Sequence, residues 1–245
     1  MAPLVEMRAI VKSFGPVAAL RGVDFAVSAG EVVGLVGDNG AGKSTLMKVL
    51  TGVYHSDEGE VWFEGRRVRF SSPLESRQAG IEMVYQDLAL AENLTPVANI
   101  FLGRELTRSV AGVRLLDGGE MRRRARQHLE ALKIALPSMT LPVERLSGGQ
   151  RQSVAIARAT AFRAKLVIMD EPAASLAVME AAKVLALITR LREAGVAVVL
   201  ISHRLQDVFD VSSRIVVLNR GLMVGDLPRD EATMEDVVGR IVGRA

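Results

Sequence analysis

The stretch Gly37-Asp38-Asn39-Gly40-Ala41-Gly42-Lys43-Ser44-Thr45 decides the reading of this chain. An apolar run, Val32-Val33-Gly34-Leu35-Val36, leads into it, and Leu46-Met47-Lys48-Val49-Leu50 leads out. The order is strand, glycine-rich turn, helix. Glycines at 37, 40 and 42 keep side chains out of the way, so successive backbone N–H groups can curl around a phosphate. The next helix turns its positive end to the same point. Lys43 is spaced to reach the outer phosphates and Ser44 to ligate Mg²⁺. The loop therefore predicts a site for a nucleoside triphosphate.

Composition bounds the rest. The chain has 245 residues, 49% of them hydrophobic, enough for a substantial core. Its net charge of +3 requires no strongly basic nucleic-acid face. Cysteine is absent, which excludes disulfides and thiolate metal sites and fits a reducing compartment. The start, Met1-Ala2-Pro3-Leu4-Val5-Glu6, shows no basic region followed by an apolar stretch, so no secretory signal is read there. No apolar run approaches the ~20 residues of a membrane span.

Flanking the loop, residues 4–11 and 23–27 read as strands. Val61–Phe63 and Val68–Phe70 read as a hairpin around Glu64–Arg67, so an antiparallel layer is expected beside the loop. Ser72-Pro73 opens a short helix to Gly80, followed by a strand through Val84 and Tyr85. From Asp87 to about Arg145 strand signals stop and Arg and Glu become frequent, which predicts an inserted helical lobe with a helix over 120–134. Its cluster Arg122, Arg123, Arg124 and Arg126 reads first as a solvated helix face. Three continuous apolar runs come next, over 166–169, 196–201 and 215–218, as strands buried on both faces should be. Helical stretches over 150–162, 178–194 and 205–211 separate them, and a short amphipathic helix is expected in the tail over 230–242. The order gives an α/β core with a largely parallel sheet.

Asp170 and Glu171 end the first of those runs. In an open α/β sheet ligands collect at the carboxyl ends of strands. Asp170 is thereby placed to hold the Mg²⁺ shell and Glu171 to polarise an attacking water as general base. His203 comes after the next run, where it could contact a γ-phosphate. Gln86 comes after Val84-Tyr85, and its amide could orient water or complete a metal shell. Leu146-Ser147-Gly148-Gly149-Gln150 is a second strong motif, with Ser147 as N-cap, two glycines leaving amides uncovered, and Gln150 opening a long helix. This second anion cradle is either an elaborate helix start or a receptor for a neighbouring subunit's phosphate.

Taken in order, the glycine loop, Gln86, Leu146–Gln150, Asp170-Glu171 and His203 resemble the nucleotide-binding subunit of an ATP-binding-cassette (ABC) transporter. In that family these are Walker A, Q-loop, signature, Walker B with catalytic glutamate, and H-loop. The resemblance implies a P-loop NTPase, RecA-like core with an antiparallel β layer and a helical lobe. It implies one domain over 1–245, the core from 1–86 and 163–245 and the lobe, with its signature, from 87–162. It implies ATP and Mg²⁺ as ligands, with Phe14 stacking on adenine, a residue that the sequence alone would place in the core. It implies a head-to-tail homodimer in which each ATP lies between one Walker A and the partner's signature.

The stretches Gly80–Asp87, Asn99–Glu105 and Ala232–Val238 are similar to bacterial monosaccharide importers of the ribose, galactose and fructose type, and the single cassette to the fructose branch. That resemblance implies integral membrane permease subunits as partners, with the coupling helix received near residues 86–102, and indirectly a periplasmic solute-binding protein. The implied location is peripheral, at the cytoplasmic face of the inner membrane. Import of amino acids or another solute is the alternative transport reading. A cassette acting on nucleic acid or ribosomes is the rival from another class, disfavoured because only about a hundred residues, without heptads, separate Lys43 from Leu146. Two positions depart from the family pattern: Ala173 stands where Thr or Ser is usual, and Ala177 where the next loop commonly ends in aspartate. That loop meets the partner subunit in the family, which implies weaker coupling between ATP sites.

Overall fold

A computed structural model describes residues 3–110 and 112–244. Met1 and Ala2, the first two residues of the stretch read for a secretory signal, lie outside it.

The chain begins with β1 (Val5–Phe14) and β2 (Val17–Val27), an antiparallel pair, then β3 (Val32–Val36) and the glycine loop into α1 (Lys43–Leu50). A hairpin of β4 (Glu58–Phe63) and β5 (Arg66–Val68) turns at Glu64-Gly65, so its second strand begins two residues earlier than the sequence suggests. These strands form one antiparallel sheet in the order β2-β1-β4-β5, the expected layer beside the loop. Helix α2 (Pro73–Ala79) is capped by the Ser72 side chain on the Glu75 amide and closed by Gly80 at φ 102°. It leads to β6 (Ile81–Val84).

Between residues 87 and 162 lie α3 (Pro96–Phe101), β7 (Thr107–Val110), β8 (Val113–Leu116), α4 (Gly118–Ala131), a 3₁₀ turn (Val143–Arg145) and α5 (Gly148–Thr160). The β7–β8 hairpin corrects the expectation that strands stop here. Both its strands are exposed, so no buried face imposes the apolar alternation by which a strand is read. On α4, Arg122, Arg123, Arg124 and Arg126 face solvent, and Glu120 pairs with Arg123 and Arg124 at 2.6 and 2.7 Å.

The remainder alternates: β9 (Leu166–Asp170), α6 (Val178–Glu193), β10 (Ala197–Ile201), α7 (Leu205–Val211), β11 (Arg214–Asn219), β12 (Leu222–Pro228) and α8 (Met234–Val242). The second sheet runs β12-β11-β3-β10-β9-β6, parallel except for β12 at its edge. Residues of β3 and β10 are buried on both faces, because α1, α2 and the antiparallel sheet pack on one side and the remaining helices on the opposite side. Arg214 ties the layers together. It reaches Glu31 at 2.7 Å, Asp226 at 2.8 Å and the Ala26 carbonyl at 2.6 Å.

Helices α4 and α5 are joined by His128, whose Nε2 lies 3.1 Å from the Ala157 carbonyl and 2.9 Å from Thr160 Oγ1. Burial pushes its pKa below the usual value of 6.5, against the backbone contact that raises it. The unfolded chain therefore takes up this proton first, and stability is lost as pH falls through 6.5 toward the lower folded value. Urea unfolding between about pH 8 and about pH 5.5 should show this decline in wild type and a flatter profile in His128→Gln. Equal slopes would remove His128 from the account.

Candidate nucleotide and catalytic site

Three neighbouring parallel strands, β3, β10 and β9, end side by side. Ile201 pairs with Leu35 on one side and with Asp170 on the other. The segments that leave these strand ends consequently meet in one place: the glycine loop after β3, Glu171 after β9, His203 after β10. Gln86, after β6, faces the same space. These groups line an open cleft of about 800 Å³, together with Asn39, Ala41, Ser44 and Thr45.

The loop owes its shape to two glycines. At Gly37, φ is 146° and a Cβ would stand 2.1 Å from the Leu218 carbonyl oxygen; at Gly42, φ is 107° and a Cβ would stand 2.7 Å from the Ala19 oxygen. A side chain at either point would force the loop away from β11 or β2. Lys43 Nζ folds back along the loop and donates to the Gly37 and Asp38 carbonyls at 2.6 and 2.9 Å. Burial lowers its pKa, opposed by the nearby charges of Glu171, Asp170 and Asp38.

Ser44 Oγ lies 3.5 Å from Asp170 Oδ2. Burial raises the Asp170 pKa and adjacent Glu171 adds to it, while Ser44 and Lys43 pull the other way. A hydroxyl and a carboxylate so close, with the Gln86 amide on the same cleft, are hard oxygen donors of the kind Mg²⁺ takes. Among the described residues no group of three or more His, Cys, Asp or Glu is arranged to hold a metal alone. The set fits a cation that brings phosphate oxygens and water with it.

Glu171 sits at φ 53°, a strained conformation for a side-chain-bearing residue. Its amide donates to the Ile201 carbonyl at 2.9 Å, which fixes the turn. The His203 amide donates to Glu171 Oε1 at 3.0 Å. His203 Nδ1 stands 2.8 Å from Oε2, yet that buried oxygen receives no aligned hydrogen bond. The carboxylate is thus held on one oxygen by a backbone amide and set against the His203 ring on the other. The His203 ring itself remains largely in the open.

Phe14 corrects the reading from residue type alone. It is 43% exposed at the cleft mouth, edge-on to Tyr54 at 5.1 Å, and not in the core. Ser147, Gly148, Gly149 and Gln150 are not brought into this cleft. Ser147 caps α5 on the Gln150 amide, and the Gln150 side chain returns to the Ser147 amide at 2.9 Å, a complete capping box. Ser147, Gly149 and Gln150 line a separate groove of about 320 Å³.

Two contacts had no sequence signal. Arg158 of α5 donates to the Leu88 and Ala89 carbonyls at 2.8 and 2.6 Å, fixing the segment after Gln86. Glu180 accepts a hydrogen bond from Ser147 at 2.8 Å. In both, long sequence separation hides the partner.

Residues 20–174 match a family model described as ABC transporter. The chain belongs to the ABC transporter family. It is 45% identical over 237 residues to the xylose/arabinose import ATP-binding protein of Sulfolobus acidocaldarius, covering 97% of this chain and 93% of that one. Similarity to the fructose import ATP-binding protein of Rhizobium meliloti is 44% over 245 residues, covering 98% and 94%. A ribose import ATP-binding protein of Burkholderia pseudomallei is 44% identical, but the match spans only 47% of its length. Among solved structures, the ADP conformation of an ATP-binding cassette of an ABC transporter superposes with a TM-score of 0.84 at 28% identity, covering 99% of this chain and 100% of that one. A dimeric post-hydrolysis cassette bound to ADP and Pi gives 0.77 at 27% identity, covering 92% and 98%. The chain is thus an ATP-binding cassette ATPase. Among the described residues no helix is long and apolar enough to cross a membrane.

The geometry carries a cost that can be measured. Burial beside Glu171 makes the ionised form of Asp170 unfavourable in the cleft. Asp170→Asn should raise the melting temperature of the protein at about pH 7 without nucleotide and abolish ATP turnover. A lower melting temperature would show that Asp170 supports the fold instead.

Proposed function

We propose that this chain is the motor subunit of a monosaccharide importer, working as a head-to-tail homodimer bound to permease subunits at the cytoplasmic face of the cell membrane. The observation that carries the reading is near-full-length likeness to xylose/arabinose and fructose import ATP-binding proteins. The ordered cleft described above supplies the groups that such a motor needs. Domain assignment follows the same reading: a core of residues 1–86 and 163–245 and a lobe of residues 87–162.

Phe14 offers the adenine a stacking face at the cleft mouth. The loop amides of residues 37–45 cradle the phosphates, and Lys43 exchanges its two carbonyl partners for β- and γ-phosphate oxygens. Ser44, Asp170 and Gln86 would hold Mg²⁺, which would supply charge neutralisation at the transferring phosphoryl group. Glu171 takes a proton from the attacking water on its carboxylate as the water oxygen bonds to the γ-phosphorus. The bond from that phosphorus to the bridging oxygen breaks, and ADP and phosphate result. His203 fixes the Glu171 carboxylate through its amide and reaches the γ-phosphate with its ring. Ser147, Gly148, Gly149 and Gln150, standing outside the cleft, close on the partner's nucleotide. Binding draws two subunits together, and hydrolysis releases them.

Replacing Glu171 by Gln removes the proton acceptor but not the cradle. ATP turnover should fall by roughly 10²–10⁴-fold with nucleotide binding retained. In cells lacking this chain, uptake of labelled xylose, arabinose, fructose or ribose should be restored by wild type and not by Glu171→Gln. Normal turnover by the variant would remove Glu171 from its role; sugar uptake indifferent to the chain would remove the importer reading.

A further inference from the structure

Glu180 is the acidic residue in the first turn of α6, and its side chain leaves that helix toward the start of α5. Its Oε1 accepts the Ser147 hydroxyl proton at 2.8 Å. The rest of the side chain lies flat on Gly149: a Cβ there would meet Glu180 Cβ, Cδ and Cγ at 2.9, 3.0 and 3.1 Å. A carboxylate from the same chain therefore already takes the Ser147 hydroxyl of the second anion cradle and lies over its Gly149.

A serine hydroxyl has a single proton to give. Here Glu180 takes it, and the Gln150 amide donates to the same hydroxyl oxygen at 3.3 Å. Ser147 cannot serve Glu180 and a phosphate together, and two anions at one helix end repel. A displaced carboxylate has somewhere to go. The adjoining groove is lined by Lys133, Lys183 and Arg190, so a rotation about the Glu180 side chain would exchange one positive environment for another.

We propose that Glu180 is a gate on the Ser147–Gln150 cradle: it stands in for the γ-phosphate in the free subunit and must be expelled when the partner's ATP docks. The proposal rests on the composite two-subunit site advanced above and adds the residue that sets how much ATP is needed to close it. Glu180 is a positioning residue, acting through Ser147 and Gly149, and lines the cradle's groove rather than the nucleotide cleft. The gate makes closure harder for a lone subunit and keeps stray anions off the cradle.

The experiment measures Mg·ATP-driven dimer formation by light scattering in a Glu171→Gln background, which holds ATP uncleaved. Glu180→Ala and Glu180→Gln are compared with this parent. Freed of the competing hydrogen bond, Glu180→Ala should reach half-maximal dimer at roughly five- to tenfold less Mg·ATP, discounted for an exposed contact. Glu180→Gln, which loses the charge but keeps an acceptor, should fall between. A residue that merely shapes the end of α5 gives the opposite sign, with both variants needing more Mg·ATP. An unchanged or raised half-point, with the parent dimerising normally, overturns the gate and leaves the composite site standing. A parent that stays monomeric at saturating Mg·ATP overturns the composite site, and the gate with it.

Discussion

The register of three parallel strands is the constraint on which the rest depends. Because Ile201 is paired with both Leu35 and Asp170, the ends of β3, β10 and β9 coincide. A slip of one residue in any of them would turn its buried side chains to the opposite face. It would also carry the glycine loop, Asp170 or His203 out of reach of the others. The two-sided burial of β3 and β10 is thus what locates the chemistry. Arg214 reinforces this by bonding two carboxylates and a carbonyl from both sheets at once.

Around that fixed point the chain accumulates unfavourable features, as sites of reaction do. Asp170 and Glu171 are neighbouring acids in a partly buried cleft, Glu171 has a positive φ, and one of its oxygens lacks an aligned donor. Each is tolerated because a rigid neighbour imposes it: the Ile201 carbonyl fixes the turn and the His203 amide fixes the carboxylate. The charges of α4 contrast with this, since Glu120 and its two arginines pair on an exposed face where water screens them.

Much of this was legible in the residues. The glycine loop, Asp170-Glu171 and His203 are each announced by a buried apolar strand that stops abruptly, and the capping box at Ser147 by Ser, two glycines and Gln. The parallel core could be read from continuous apolar runs and the antiparallel layer from the hairpin turn beside the loop. The features that escaped have a common cause, the absence of a local pattern. The β7–β8 hairpin buries neither face and so leaves no periodicity. Phe14 looks like a core residue by type, and only its place at the end of β1 exposes it. Arg158 with Leu88, and Glu180 with Ser147, are pairs that only tertiary folding introduces.

Lys43 has a consequence for how fast the cleft can take up nucleotide. With its ammonium bonded to the Gly37 and Asp38 carbonyls, the loop acts as its own ligand and keeps its curl. An arriving nucleotide has no disordered segment to organise, so little conformational entropy is subtracted from its affinity. On the role proposed for Lys43, association is then governed by diffusion into an open cleft and by an exchange of partners at one side chain. Departure of the product reverses that exchange, and the loop is ready for the next molecule as soon as the lysine swings back.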